Sequence, residues 1–176
     1  CFAAMAFGEL YKATNNVEHK EVAITTYNNI IARQNNPKGK WSKAYKGTRD
    51  LKNFSLPMIL CNLSLLLEEV LGKENVDKMV PPLIEDIMTN FLNKEHGIIM
   101  ENIYPDGQLC DSFEGRQINP GHGNESMLFL MDLAVRYNNP DLIKKCEEIL
   151  IHTTEFGWDK EFGGIYYFLD IKGHPM

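Results

Sequence analysis

The sequence predicts an all-α protein forming about half of a helical ring, six helices in three hairpins, and three observations carry that prediction. Strongly apolar helical segments alternate with amphipathic ones along the chain. The connections alternate in the same order: two to four residues after an apolar helix, a long segment after an amphipathic one. Finally, Asn93-Lys94-Glu95-His96-Gly97-Ile98, with Asp106-Gly107 beyond it, recurs 66 positions later as Asp159-Lys160-Glu161-Phe162-Gly163-Gly164-Ile165 with Asp170 and Gly173. A repeated unit of inner helix, outer helix and loop makes a ring or solenoid of hairpins. Three units leave the ring open, and antiparallel hairpins send every long loop to one rim, where function is usually carried.

Each element has its own signal. Cys1 to Thr14 is small or apolar on nearly every side, which suits a helix buried all round. After the link Asn15-Asn16, Val17 to Gln34 mixes Val22, Ile24, Tyr27, Ile30 and Ile31 with charged positions and is amphipathic. The polar segment Asn35 to Asp50 holds a fainter copy of the repeat, Asn36-Pro37-Lys38-Gly39-Lys40, and leads to a third helix from Leu51 to Leu71, closed by Gly72. A fourth runs from Glu74 to Asn93; Pro81-Pro82 must kink or split it. The long loop Lys94 to Ile118 follows, then an apolar helix to about Tyr137, a turn at Asn138-Asn139-Pro140, and an amphipathic helix from Asp141 to about Thr154. In the tail, Gly163 to Phe168 is the best strand candidate, giving a short β-hairpin-like end.

The 176 residues carry a formal net charge of −6 and no run of Lys or Arg, which argues against a nucleic-acid surface. The longest apolar runs are broken by Asn62, Ser64 and Glu68-Glu69, too soon to span a bilayer, so a cytoplasmic protein without a membrane partner is expected. Cys1, Cys61, Cys110 and Cys146 stand far apart with no C-x-x-C pair; reduced thiols and no metal site are expected. The chain opens on Cys1 inside an apolar helix and reads as a fragment, a single domain over 1–176 that is incomplete at both ends.

The stretch that carries chemistry is Gly115-Arg116-Gln117-Ile118-Asn119-Pro120-Gly121-His122-Gly123-Asn124-Glu125-Ser126, a polar loop that turns into an apolar helix. Asn119 suits the N-cap and Pro120 the first helical position. His122 then lies in the first turn, and Glu125, three residues on, shares its face. The imidazole is a candidate general base near neutral pH, with Glu125 orienting it or binding a substrate hydroxyl. A histidine at a helix start also serves as a plain structural residue, and Glu125 as a buried, satisfied carboxylate. Lys43, Tyr45, Lys46 and Arg49 form a basic-aromatic cluster suited to nucleotide phosphates, although a solvated loop explains it more simply.

Arg116-Gln117-Ile118-Asn119-Pro120-Gly121-His122 with Glu125, followed by Gly157-Trp158-Asp159, Gly163-Gly164-Ile165-Tyr166-Tyr167-Phe168, Asp170 and Gly173, resembles the N-acylglucosamine 2-epimerase family. Glu101-Asn102 with Asp106-Gly107, and Leu56 to Leu63, look like that family too, and the similarity runs along essentially the whole chain. It implies an (α/α)6 toroid or barrel of about twice this length, of which this chain is a partial domain. It further implies interconversion of N-acetylglucosamine and N-acetylmannosamine, with ATP as an activator and not a reactant, and a homodimer as in relatives. Related members epimerise cellobiose or isomerise aldoses to ketoses. His122 matches one of the family's two catalytic histidines; the other lies beyond Met176, as does an essential glutamate, and the substrate-binding arginine lies before Cys1. The 176 residues alone are therefore expected to be inactive. Glu125, Asn119 and Arg116 are the candidate substrate-binding residues, the latter two with a loop-shaping and capping role as the plainer reading. Two other functions compete. A glycoside hydrolase on the same scaffold would use two carboxylates from among Glu101, Asp106, Asp111 and Glu114, and a binding protein would use none.

Overall fold

The computed structural model describes residues 1–34 and 48–174. Along them run α1 (Phe2–Thr14), α2 (Val17–Ala32), β1 (Lys52–Asn53), α3 (Ser55–Leu66), α4 (Glu68–Leu71) and α5 (Lys73–Asp86). A π-type turn (Ile87–Phe91) leads to β2 (Leu92–Asn93), β3 (Ile98–Ile99), β4 (Asn102–Ile103) and β5 (Gln117–Ile118), followed by α6 (Pro120–Arg136), α7 (Pro140–Gly157) and β6 (Leu169–Asp170). The all-α class expected from the sequence is what these residues form.

Two Asn-Asn pairs make the hairpin turns. Asn15 ends α1 in the left-handed region (φ 54°) and Asn16 caps α2, its side chain accepting from Glu18 N–H at 3.0 Å. Asn138 (φ 52°) and Asn139, which accepts from Leu142 N–H at 3.0 Å, do the same between α6 and α7. Asparagine tolerates that backbone better than most residues and is a strong N-cap, so each pair stops one helix and starts the next. The short links after the apolar helices are thereby explained.

The chain divides into two compact units, residues 1–49 with 62–80 and residues 50–61 with 81–176. In the first, α1 packs on α2, Gly8 lies against the Leu67 side chain, and the Tyr27 hydroxyl meets Ser64 in a buried contact. In the second, α6 and α7 form the most extensive helix pair, with Gly157 so close to Pro120 that a Cβ there would fall 2.7 Å from the proline ring. Two-stranded antiparallel pairs brace this unit: β1 with β4, β2 with β3, and β5 with β6. Phe54, Phe91, Ile98, Met100, Ile103, Ile118, Met127 and Leu130 fill its core.

Several expectations need correction. α1 is not buried all round: Ala4 and Gly8 are buried, whereas Phe2 and Leu10 are exposed. The third helix begins at Ser55, capped by Asn53, and is interrupted at Leu67 before α4 ends at Gly72. Pro81-Pro82 does not split the fourth helix, which continues through both. Each proline removes one backbone bond and crowds the carbonyl four residues back, but Val76 and Val80 before them, with Ile87, Met88 and Phe91 after, are buried and offset that cost. The loop 94–118 contains β3, β4 and β5. Gly163 to Phe168 is not a strand: Gly163 (φ 75°) and Gly164 (φ 91°) leave extended geometry, so Ile165 makes one isolated bridge to Trp158, and the strand falls at Leu169–Asp170. The faint copy of the repeat at Asn36 to Lys40 lies outside the described residues.

Candidate functional site

The start of α6 is built as its sequence reads. The Asn119 side chain, itself buried, accepts the N–H of His122 at 3.1 Å, and Pro120 takes the first helical position. That places His122 in the first turn with its side chain 37% exposed. Its Nδ1 stands 2.9 Å from Oε1 of Glu101, whose side chain is only 9% exposed.

Glu101 is fixed by its main chain. Its carbonyl accepts from Phe54 N–H at 2.9 Å and its own N–H donates to the Gln117 carbonyl at 3.4 Å. On either side, Met100 N–H donates to Phe91 at 2.9 Å and Asn102 pairs with Asn53 in the β1–β4 ladder. The strand that bonds to Glu101, β5, is the same strand that leads into α6. Carboxylate and imidazole are thus set by one short run of backbone. Burial pushes the Glu101 carboxyl above its ordinary range, while the charge and hydrogen bond of His122 pull it back part of the way.

The other sequence candidates fall into place around this pair. Glu125 is exposed, not buried, and the carboxylate that meets the imidazole is Glu101. Arg116 donates from Nε to Asp170 at 2.8 Å and from Nη1 to Asp111 at 2.9 Å, and Lys172 also donates to Asp111, at 2.7 Å. These donors hold the Asp111 carboxyl below its ordinary range. Asp170 is buried, which pushes its carboxyl up, but the bonds from Arg116 and from Lys172 N–H outweigh burial and lower it. Arg116 therefore fastens the loop before α6 to the tail, and Asn119 caps the helix. Arg49 is exposed, and Lys43, Tyr45 and Lys46 lie outside the described residues. Each rim carboxylate available to a hydrolase has a partner in the fold: Glu101 has the imidazole, Asp106 the N–H of Gln108, Asp111 two cations, and Glu114 the Ser112 hydroxyl at 2.9 Å.

The pairing of Glu101 with His122 was not anticipated from the sequence, yet a signal exists. Glu101 is the lone charge in the run Ile98-Ile99-Met100-Glu101-Asn102-Ile103, and Ile98, Ile99, Met100 and Ile103 are all buried. A carboxylate inside such a run needs a partner. Elsewhere, Cys61 and Cys146 are buried thiols pushed up to about 12 and about 11 by desolvation, and none of the four cysteines forms a disulfide.

A family model described as N-acylglucosamine 2-epimerase (GlcNAc 2-epimerase) matches residues 1–176. The N-acylglucosamine 2-epimerase of Rattus norvegicus is 30% identical over 178 residues, covering 97% of this chain and 41% of that protein. Its counterpart in Mus musculus is 31% identical over 180 residues, covering 98% and 42%. The chain spans about two-fifths of the length of these curated relatives. Among solved structures, a cellobiose 2-epimerase from Bacillus thermoamylovorans B4167 matches with a TM-score of 0.78 at 16% identity, over 96% of this chain and 47% of the other. At that identity the likeness shows the fold, the helical-hairpin fold of the (α/α)6 epimerases.

Proposed function

Since the chain belongs to the N-acylglucosamine 2-epimerase family, we propose that the protein carrying it is a sugar 2-epimerase that interconverts N-acetylglucosamine and N-acetylmannosamine. Inverting C2 of an open-chain aldose requires removing the proton alpha to the carbonyl on one face and returning one on the other. His122 is one of the two acid/base groups in this proposal. The observation that carries it is the half-exposed imidazole at the head of α6 backed by a buried carboxylate, a geometry in which the ring can exchange a proton with a bound molecule while remaining held. Glu125, exposed one turn along the same helix, is proposed to meet a sugar hydroxyl, while Arg116 and Asn119 act on substrate only by shaping the loop and cap.

The chemistry needs no cofactor. ATP, if it acts, is proposed as an activator, and the cluster of Lys43 and Arg49 is the place to test. The proposed unit is a partial (α/α)6 barrel domain, and the 176 residues alone are proposed to be inactive because a second acid/base group is needed. Among the described residues no helix is long and apolar enough to cross a membrane.

The test is exchange of the C2 proton in heavy water, followed by NMR on the full-length protein. With N-acetylmannosamine, deuterium should appear at C2 in the wild type and be lost or slowed at least about 10³-fold in His122→Asn. Exchange with cellobiose or mannose in preference to the N-acyl sugar would move the reading to another epimerase or isomerase of the family. No exchange with any of them would remove it.

A further inference from the structure

We propose that Glu101 is a positioning residue for His122: its carboxylate holds Nδ1–H, so the ring presents a single tautomer whose Nε2 exchanges a proton with C2 on one face of the sugar. The proposal rests on the reading of His122 as an acid/base group. Three features support it. The 2.9 Å contact is to Nδ1, and a carboxylate can only accept there, so the neutral ring carries its proton on Nδ1 and its lone pair on Nε2. The carboxylate has little room to follow a rotated ring: the Glu101 main chain is bonded to Phe54 and Gln117 between β3 and β4, and its side chain is only 9% exposed. Finally, Glu101 is only 7% exposed, and a buried carboxylate costs stability unless a partner such as the imidazole compensates it, which ties the two groups together. When Nε2 gains a proton, the same carboxylate balances the new charge without moving.

Glu101→Gln preserves size but removes the charge and the strict acceptor character; Glu101→Asp keeps both and shortens the reach. In the full-length protein, kcat for C2 exchange should fall about 10²- to 10⁴-fold in Glu101→Gln with KM within about threefold, and Glu101→Asp should recover part of the loss. Ring ¹⁵N spectra of histidine-labelled protein should show Nε2 as the unprotonated nitrogen of His122 in the wild type and a mixed or reversed tautomer in Glu101→Gln. Undiminished exchange in Glu101→Gln, or a loss of kcat with the tautomer unchanged, would overturn the positioning role while leaving His122 as the base. Absence of exchange in the wild type would instead overturn the reading of His122 on which it rests.

Discussion

The two copies of the repeated loop make the same turn and serve different ends. In the first, the Asn93 side chain accepts the N–H groups of Glu95 and His96, both at 3.0 Å, and Gly97 follows at φ 66°. In the second, Asp159 accepts from Glu161 at 2.8 Å and Phe162 at 3.1 Å, and Gly163 follows at φ 75°. The first copy then enters the core: Ile98 is fully buried, β3 packs on α7, and His96 sits edge-on to Phe156 at 5.9 Å. The second stays at the surface, with Phe162 83% and Tyr167 75% exposed. Three residues past the isoleucine stands Glu101 in one copy and Phe168 in the other. The turn is written within a few residues and recurs with them, whereas burial is decided by what packs on top. In the buried copy a carboxylate, Glu101, is pushed up by burial; in the surface copy Asp159 is held down by its turn.

The largest test of this contrast is in the isoleucines. Ile98→Ala should lower unfolding free energy by about 3 kcal/mol and Ile165→Ala by less than about 1 kcal/mol, read by urea denaturation. Equal losses would mean that both loops are equally part of the core. Next come the glycines. Both have positive φ, so alanine costs about 1 kcal/mol at either, but a Cβ at Gly97 would also collide with the His152 ring, while at Gly163 it meets only Trp158 at 3.9 Å. Gly97→Ala should be the more damaging, and adding His152→Ala should bring it level with Gly163→Ala.

The smallest effect separates amide from carboxylate. Backbone bonds from Phe162 and Glu161 hold the Asp159 carboxyl below its ordinary value of 3.8. A depressed acid supports its turn above the ordinary value and ceases to as pH falls through the lowered one. Below about pH 3.8, therefore, the Glu161 and Phe162 amide shifts should begin to move toward open-turn values, while those of Glu95 and His96, held by neutral Asn93, should stay, as long as the fold persists.

What the sequence made legible follows the same division. The cap at Asn119, the proline after it, the paired asparagines and the repeated turn are local chemistry, and each stands where its residues place it. Glu125 was the natural partner to expect for His122, because i and i+3 share a helix face. Glu101, 21 positions earlier, reaches the ring through a loop whose docking no spacing rule describes. The aromatic run after Gly163 invited a strand because β-propensity counts side chains, and it missed two consecutive glycines at positive φ. The uneven burial of α1 was likewise beyond reach: composition says that a helix has apolar surface to cover, not what covers it.

The pairing of β5 with β6 joins Gln117 to Asp170, and Arg116 to the same aspartate 54 positions later. A chain made from its N-terminus therefore has α6, with Glu101 and His122, already synthesised while one edge of the strand leading into it still lacks a partner. Closing that edge waits for a distant segment, and such long-range closure is slow. The loop before the histidine should be among the last parts of this unit to become protected during folding, and an unpaired edge in the interim is where a nascent chain invites the wrong strand.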